Sequence, residues 1–294
     1  MSIRLELLQV ARLAPKLLGE STDLVRAFYR RQQNADGGFK DRVGVSDLYY
    51  TVFGLDGLIA LQEPIDADRT EAYLRKFGGG EGLDLIHLGC LARCWSALPG
   101  RQMPAEWHES IAREIERFRA PDGGFNQLTG MERGTVYGSY IAWATYQDLK
   151  LPMPNASALV KCVQGLRSKD GGYGNEPGMP LGTTPTTVGA SVLLRQCGAP
   201  VPAEVGPWLL HQVHPQGGFM AMPMAPIPDL LSTATALHAL AGMQVSFEPI
   251  KEHCLDFIDT LWTNEGGFHG HWADDVLDVE YTLYGLLALG HLSL

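Results

Sequence analysis

Two kinds of segment alternate along this chain. One kind is amphipathic, with a Pro or Asp near its start and basic or Gln residues near its end, over about 22–33, 66–77, 104–119, 155–167, 202–213 and 248–262. The other is apolar nearly all round and rich in Ala, Leu, Gly and Tyr, over about 47–61, 84–98, 135–149, 184–196, 229–242 and 278–292. A helix with one apolar stripe lies at a surface, whereas a helix apolar on most faces is buried on most faces. The pattern therefore predicts six outer helices alternating with six inner ones. No segment alternates with period two for long enough to form a strand.

Each outer segment runs into a Gly-Gly loop before the inner one begins. The pair is followed by an aromatic at Gly37-Gly38-Phe39, Gly123-Gly124-Phe125, Gly171-Gly172-Tyr173, Gly217-Gly218-Phe219 and Gly266-Gly267-Phe268, with a variant at Gly78-Gly79-Gly80. Counted from Gly37, Gly79, Gly123, Gly171, Gly217 and Gly266, the intervals are 42, 44, 48, 46 and 49 residues. A near-constant period of this size is one helical hairpin repeated six times, each unit burying its apolar face on its neighbours. Neither terminal unit has a polar inner helix, as the caps of an open solenoid would require, so the hairpins are expected to close into a ring with the last inner helix against the first or second. In such a ring the inner helices run parallel, and their N-terminal dipoles gather at one mouth of a central cavity, which favours anions. Several inner segments begin with an acid four residues before a Thr: Asp47 and Thr51, Asp229 and Thr233, Asp278 and Thr282. An Asp there can cap the free N–H groups of a helix start.

The repeat runs from about residue 22 to the end without a linker or charge block, which predicts a single domain over 1–294, with an N-terminal helix in 1–21 and six units in 22–294. Twenty-three basic against 33 acidic residues give a net charge of −10, which opposes nucleic-acid binding and an anionic membrane surface. The five cysteines are odd in number and scattered at apolar positions, as for buried reduced thiols. Met1 to Leu18 carries Arg4, Glu6, Arg12 and Lys16 among its leucines, which interrupts any signal-peptide core and fits an amphipathic helix. No apolar run reaches membrane-spanning length. The expectation is a cytoplasmic protein with no stable membrane insertion.

The unit from Gln32 to Leu61, a Gln four residues before Asp36 in Asp36-Gly37-Gly38-Phe39, then about ten residues, then Asp47, Thr51 and a Leu-rich helix, resembles the repeat shared by protein prenyltransferase β subunits and terpenoid cyclases. The resemblance covers most of the chain. It implies an all-α fold, an α/α toroid (α6–α6 barrel), with an aromatic-lined cavity for an isoprenoid. In the prenyltransferases an Asp, a Cys two residues later and a His near the start of the last inner helix hold zinc. Here Asp229 matches the Asp, but Leu231 stands for the Cys and Tyr281 for the His. The resemblance therefore implies no zinc cofactor at that position. The cyclases place an Asp-x-Asp-Asp-Thr motif at the corresponding helix start, its middle Asp donating a proton. The fifth unit, Asp229-Leu-Leu-Ser-Thr, keeps only the first acid; the sixth, Asp278-Val-Glu280-Tyr-Thr, puts Glu280 in register with the proton donor.

Asp278 and Glu280 are thus the catalytic candidates, with a helix cap and a first-turn dipole partner as their structural alternative. Tyr49, Tyr50, Phe53, Tyr137, Tyr140, Trp143 and Tyr284, clustered at inner-helix starts, are candidates to hold a prenyl chain and stabilise cations. His87 has an acid one turn before it, and Arg42 and Arg133, with Lys40, follow Gly-Gly loops where a diphosphate could sit. His269 and His271 with Asp274 could hold a divalent metal, or form a solvated loop. The Met-rich loop Met220–Pro228 could serve as a lid. Two functions stay open: an enzyme acting on an isoprenoid, by zinc-independent prenyl transfer or acid-initiated cyclisation, or a non-catalytic toroid that binds a lipid-like ligand or a helical partner subunit.

Overall fold

The computed structural model describes all 294 residues. Two short helices lead in, α1 (Ile3–Ala11) and α2 (Pro15–Leu18), followed by α3 (Thr22–Gln32), α4 (Leu48–Ala60), α5 (Ala67–Leu74), α6 (Leu85–Ala97), α7 (Ala105–Glu116), α8 (Val136–Asp148), α9 (Ala156–Gln164), α10 (Thr184–Gln196), α11 (Val205–Leu210), α12 (Leu230–Gly242), α13 (Lys251–Leu261) and α14 (Val279–Leu292). The only sheet is a two-residue antiparallel pair, β1 (Phe39–Lys40) with β2 (Ser46–Asp47). No helix is long and apolar enough to cross a membrane.

The even-numbered helices from α4 to α14 are the inner ring, each packing on the next, and α14 packs on α4 to close it. All six open in the same way: the side chain of Asp47, Asp84, Thr135, Thr183, Asp229 or Asp278 accepts the backbone N–H three residues on. Such a cap contributes about 1 kcal/mol to its helix. The Thr or Ser four residues after the cap has a second duty. Thr51, Ser139, Thr187, Thr233 and Thr282 accept the N–H of the loop aromatics Phe39, Phe125, Tyr173, Phe219 and Phe268, all of them buried. Sequence spacing between cap and Thr therefore ties each loop to its own inner helix.

The outer helices are shorter than predicted. The residues predicted to end them, Gln33, Arg119, Arg167, Val213 and Trp262, are extended and form antiparallel bridges to those same loop aromatics. A residue bridged across a turn cannot also continue a helix. The loop glycines permit the approach: Gly37 has φ 99° and would place a Cβ 2.2 Å from the Arg69 carbonyl of the next outer helix. Gly266 stands in the same relation to Leu24, so the sixth loop meets the first outer helix and the ring closes outside as well as inside.

The N-terminal segment departs from the single helix predicted. Pro15 cannot continue α1, so the chain turns between α1 and α2. α1 keeps Leu5 and Gln9 exposed and buries the opposite face. It packs against α14, α4 and α8 at the C-terminal end of the inner ring. Arg4 is buried there, Nε 2.9 Å from Asp56 Oδ1; Glu6 pairs with Arg195 and accepts from Gln196; and the Ile3 N–H donates to Gln147. α1 thus plugs one end of the toroid and leaves the mouth at the helix starts as the open one.

Candidate active site

The inner helices surround a cavity in three connected parts. A mouth chamber of about 380 Å³ lies at the helix starts, against Val136, Asn175, Thr183, Leu231 and their neighbours. A deep chamber of about 170 Å³ runs toward the plug and is floored by Leu7, Leu8 and Ala11 of α1. A recess of about 80 Å³ opens between α4, α6 and α8. Tyr49 and Tyr140 wall all three; Tyr137 and Tyr284 wall the mouth and deep chambers; Phe53 walls the deep chamber and the recess. Five of the seven predicted aromatics therefore meet around one space. Tyr50 and Trp143 do not line it. Tyr50, next to Tyr49 on α4, points about 100° away around the helix, toward Arg42 and Asp278, and Trp143 packs on the core with its indole N–H unpartnered.

Glu280 stands at the rim in the first turn of α14. It is not among the residues walling the three chambers, but Tyr49 joins it to them: the Tyr49 hydroxyl donates to Glu280 Oε1 at 2.7 Å. Burial raises the Glu280 pKa to about 7, Asp278 pushing the same way and the Tyr49 bond pulling against it. Near neutral pH the site thus holds a carboxyl with an available proton, beside an aromatic-walled cavity.

Asp278 is committed elsewhere, which corrects its assignment as a second catalytic acid. One carboxylate oxygen caps α14 through the Tyr281 N–H at 2.8 Å, and the other accepts from Arg42 Nε at 2.8 Å. Arg42 also grips Asp274 with both terminal nitrogens, at 3.1 and 2.9 Å, and lies over the Tyr281 ring. This corrects its assignment to a diphosphate: the guanidinium is taken by two carboxylates. Its position has a pattern. In earlier units the loop of one hairpin binds the inner-helix start of the hairpin before it, as Thr184 N–H donates to the Ala221 carbonyl and Leu230 N–H to Gly270. Arg42, in the first loop, does the same for the sixth helix. The first of those contacts also ties the Met-rich loop to α10 at Met220 and Ala221, while Met222 and Met224 stay exposed.

Other predicted residues are likewise placed away from the cavity. Arg133 lies on an exposed loop and Lys40 donates to the Arg31 carbonyl. His87 sits between Asp84, 2.8 Å from its Nδ1, and Asp47, 3.9 Å from its Nε2, and the Asp47 and Asp84 carboxylates push its pKa up to about 9. It is an ion-paired cation joining two helix starts. Asp274 is held by Arg42 and the Gly270 N–H, and His271 accepts from the Ala273 N–H. Nowhere do three His, Cys, Asp or Glu side chains converge to hold a metal. At the prenyltransferase zinc position Asp229 caps α12 and accepts from the Ser232 hydroxyl, while Leu231 walls the mouth chamber. That donor set does not fit zinc.

Sequence reasoning missed the polar groups of the deep end: Asp56, Arg93, His238 and, in the recess, Asp148. Their signal was present, since each is an ionisable residue inside an apolar inner segment.

The prenyltransferase alpha-alpha toroid domain model matches residues 13–87, 75–212 and 186–292. No curated protein matches the sequence. Among solved structures, a substituted form of the type II terpene cyclase MstE from Scytonema, in complex with its substrate geranylgeranyl dihydroxybenzoate, superposes with a TM-score of 0.63 at 14% identity, over 95% of this chain and 97% of that one. The Candida albicans protein geranylgeranyltransferase-I complexed with GGPP gives a TM-score of 0.65 at 17% identity, over 82% and 83%. A protein from Actinoplanes gives 0.60 at 15%, over 93% and 98%.

Proposed function

Since the chain belongs to the prenyltransferase alpha-alpha toroid domain family, we propose that it is an isoprenoid-processing enzyme that cyclises a polyene by proton transfer from Glu280. The observation that carries this reading is the Tyr49–Glu280 pair, a carboxyl of raised pKa bonded to a tyrosine that walls every part of the cavity. Glu280 gives its proton to a terminal double bond or epoxide at the mouth. The adjacent double bond supplies the electron pair for the new C–C bond, and the cation moves inward past the π faces of Tyr49, Tyr137, Tyr140, Tyr284 and Phe53. The last cation loses a proton from a neighbouring carbon to solvent, which ends the sequence, and solvent returns a proton to the Glu280 carboxylate at the mouth. The product is an isomer of the substrate, and no co-reactant is consumed.

Prenyl transfer is less well supported. It expels a diphosphate, and the cations near the mouth are engaged or remote, Arg42 by two carboxylates and Arg133 on an exposed loop. A second reading, a toroid that binds a lipid-like ligand without turning it over, is favoured by one observation: Glu280 stands outside the three chambers and is hydrogen-bonded to their wall through Tyr49. Incubation of the protein with linear polyenes, their terminal epoxides and prenyl diphosphates, read by gas chromatography and mass spectrometry, separates the three. Cyclic isomers lost in Glu280→Gln support cyclisation; release of diphosphate supports transfer; recovery of unchanged bound ligand supports binding alone.

A further inference from the structure

The deep polar groups have no part in the proton transfer at the mouth. Asp56 is buried on α4 and its two oxygens are filled, Oδ1 by Arg4 Nε at 2.9 Å and Oδ2 by Arg93 Nε and Nη2 at 2.9 and 2.6 Å. These bonds use one edge of the Arg93 guanidinium and leave Nη1 without a protein partner. Arg93 walls both the deep chamber and the recess, and its side chain keeps 19% exposure although it lies inside the ring. The free edge therefore faces the cavity. Asp148 walls the same recess, and its carboxyl bonds to no side chain. Burial pushes it up to about 6, against the pull of Arg93. Across the ring His238, 7% exposed, walls the deep chamber; its Nδ1 lies 3.1 Å from His291 Nε2, and its Nε2 has no hydrogen-bond partner, Glu6 Oε2 lying 3.9 Å away.

A plain hydrocarbon filling this cavity leaves the Arg93 edge and Asp148 shielded from water and unpaired, the arrangement that burial penalises most. A ligand hydroxyl at that depth satisfies both, accepting from Arg93 and donating to Asp148. A second anion is opposed by Asp56 and Asp148, and a cation by Arg93, so the fitting group is uncharged. We propose that the deep end of the cavity anchors a hydroxyl at the end of the polyene, its oxygen accepting from Arg93 Nη1 and its O–H donating to Asp148. The anchored end enters first, which leaves the olefinic end at Glu280. This inference rests on the reading of the cavity as a polyene site.

The test compares the affinity of geranylgeraniol with that of the tetraene hydrocarbon of the same skeleton, by native mass spectrometry, for the wild type, Arg93→Lys and Asp148→Leu. Arg93→Lys keeps a cation for Asp56 but withdraws the free edge. One charge-assisted hydrogen bond corresponds to roughly a tenfold preference for the alcohol. That preference is expected in the wild type and should shrink to about threefold or less in Arg93→Lys with hydrocarbon binding unchanged; if Arg93→Lys does not fold, Asp148→Leu is read in its place. Equal affinities in the wild type, or a preference undiminished in the folded variant, overturn the anchor while leaving the cyclisation reading standing. Binding of neither ligand overturns both.

Discussion

The Tyr49 hydroxyl and the Glu280 carboxylate, 231 residues apart in sequence, meet at 2.7 Å where the first inner helix joins the last. Tyr49 hydrogen-bonds the acid to the cavity wall, so replacing either residue tests the chemistry directly. Glu280→Gln keeps the size and the hydrogen bond but not the proton. Turnover should fall by at least about a thousandfold, while the melting temperature and ligand affinity stay near the wild-type values. A variant that turns over at an undiminished rate would remove Glu280 from the mechanism.

The raised pKa of Glu280 sets two pH dependences of the same sign. As a proton donor it works only while protonated, so the rate should decline as pH rises through about 7. The folded value lies above the ordinary 4.5, so the native state holds the proton more tightly than the unfolded chain between those values. Its contribution to stability is complete below about 4.5 and is lost as pH rises through about 7. Glu280→Gln should abolish this loss, and its stability relative to wild type should improve between mildly acidic and mildly alkaline buffer by about 1–2 kcal/mol. Parallel denaturation curves for the two proteins across that range would contradict the assignment.

Arg42 carries the ring closure at the mouth. Arg42→Ala leaves Asp278 buried with an unpaired oxygen and frees Asp274, at a cost of about 2 kcal/mol, less than for a fully buried pair because the guanidinium is 36% exposed. That corresponds to a fall of about 3 °C in Tm. Arg133→Ala, on its exposed loop, should change nothing measurable. Equal effects of the two substitutions in calorimetry would refute the closure role.

His87 should titrate near 9 rather than at the ordinary imidazole value of 6.5. Its ion pairs with Asp84 and Asp47 stabilise the fold fully below about 6.5, and that stabilisation is lost as pH rises through about 9. With His87 about one-third exposed, solvent screening limits the effect to about 1 kcal/mol. An NMR titration that finds the imidazole neutral at pH 7 would show that the two carboxylates do not hold it.

How much of this was legible in the sequence follows from which interactions are local. The inner helices begin within a residue of their predicted starts, because apolar runs and capping residues such as Asp47 and Asp229 act within one turn. The outer helices were drawn too long because the bridge from Arg119 to Phe125 lies beyond any helical pattern. Glu280 was found through the register of a motif, and Asp278 was equally visible, but the partner that occupies Asp278 comes from a loop 236 residues away. Pairings across the closed ring depend on which hairpin lies beside which, and no periodicity encodes that. The same holds for Arg4: its charge was plain in the sequence, while its partner, Asp56, appeared only with the plug in place.

The plug also constrains the order of assembly. α1 lies near residue 1 and α14, against which it packs, lies more than 260 residues further along the chain. The Val10 carbonyl comes so close to Gly290 that a Cβ there would sit 2.1 Å from it. A chain emerging from the ribosome therefore carries α1 without a seat until α14 has been made. Arg4 and Glu6 keep that waiting segment hydrated, and the closure between the ends gives the fold a long-range step that slows folding relative to an open stack of the same hairpins. The site at the mouth likewise waits for α14, which must reach α4 before Tyr49 and Glu280 can meet.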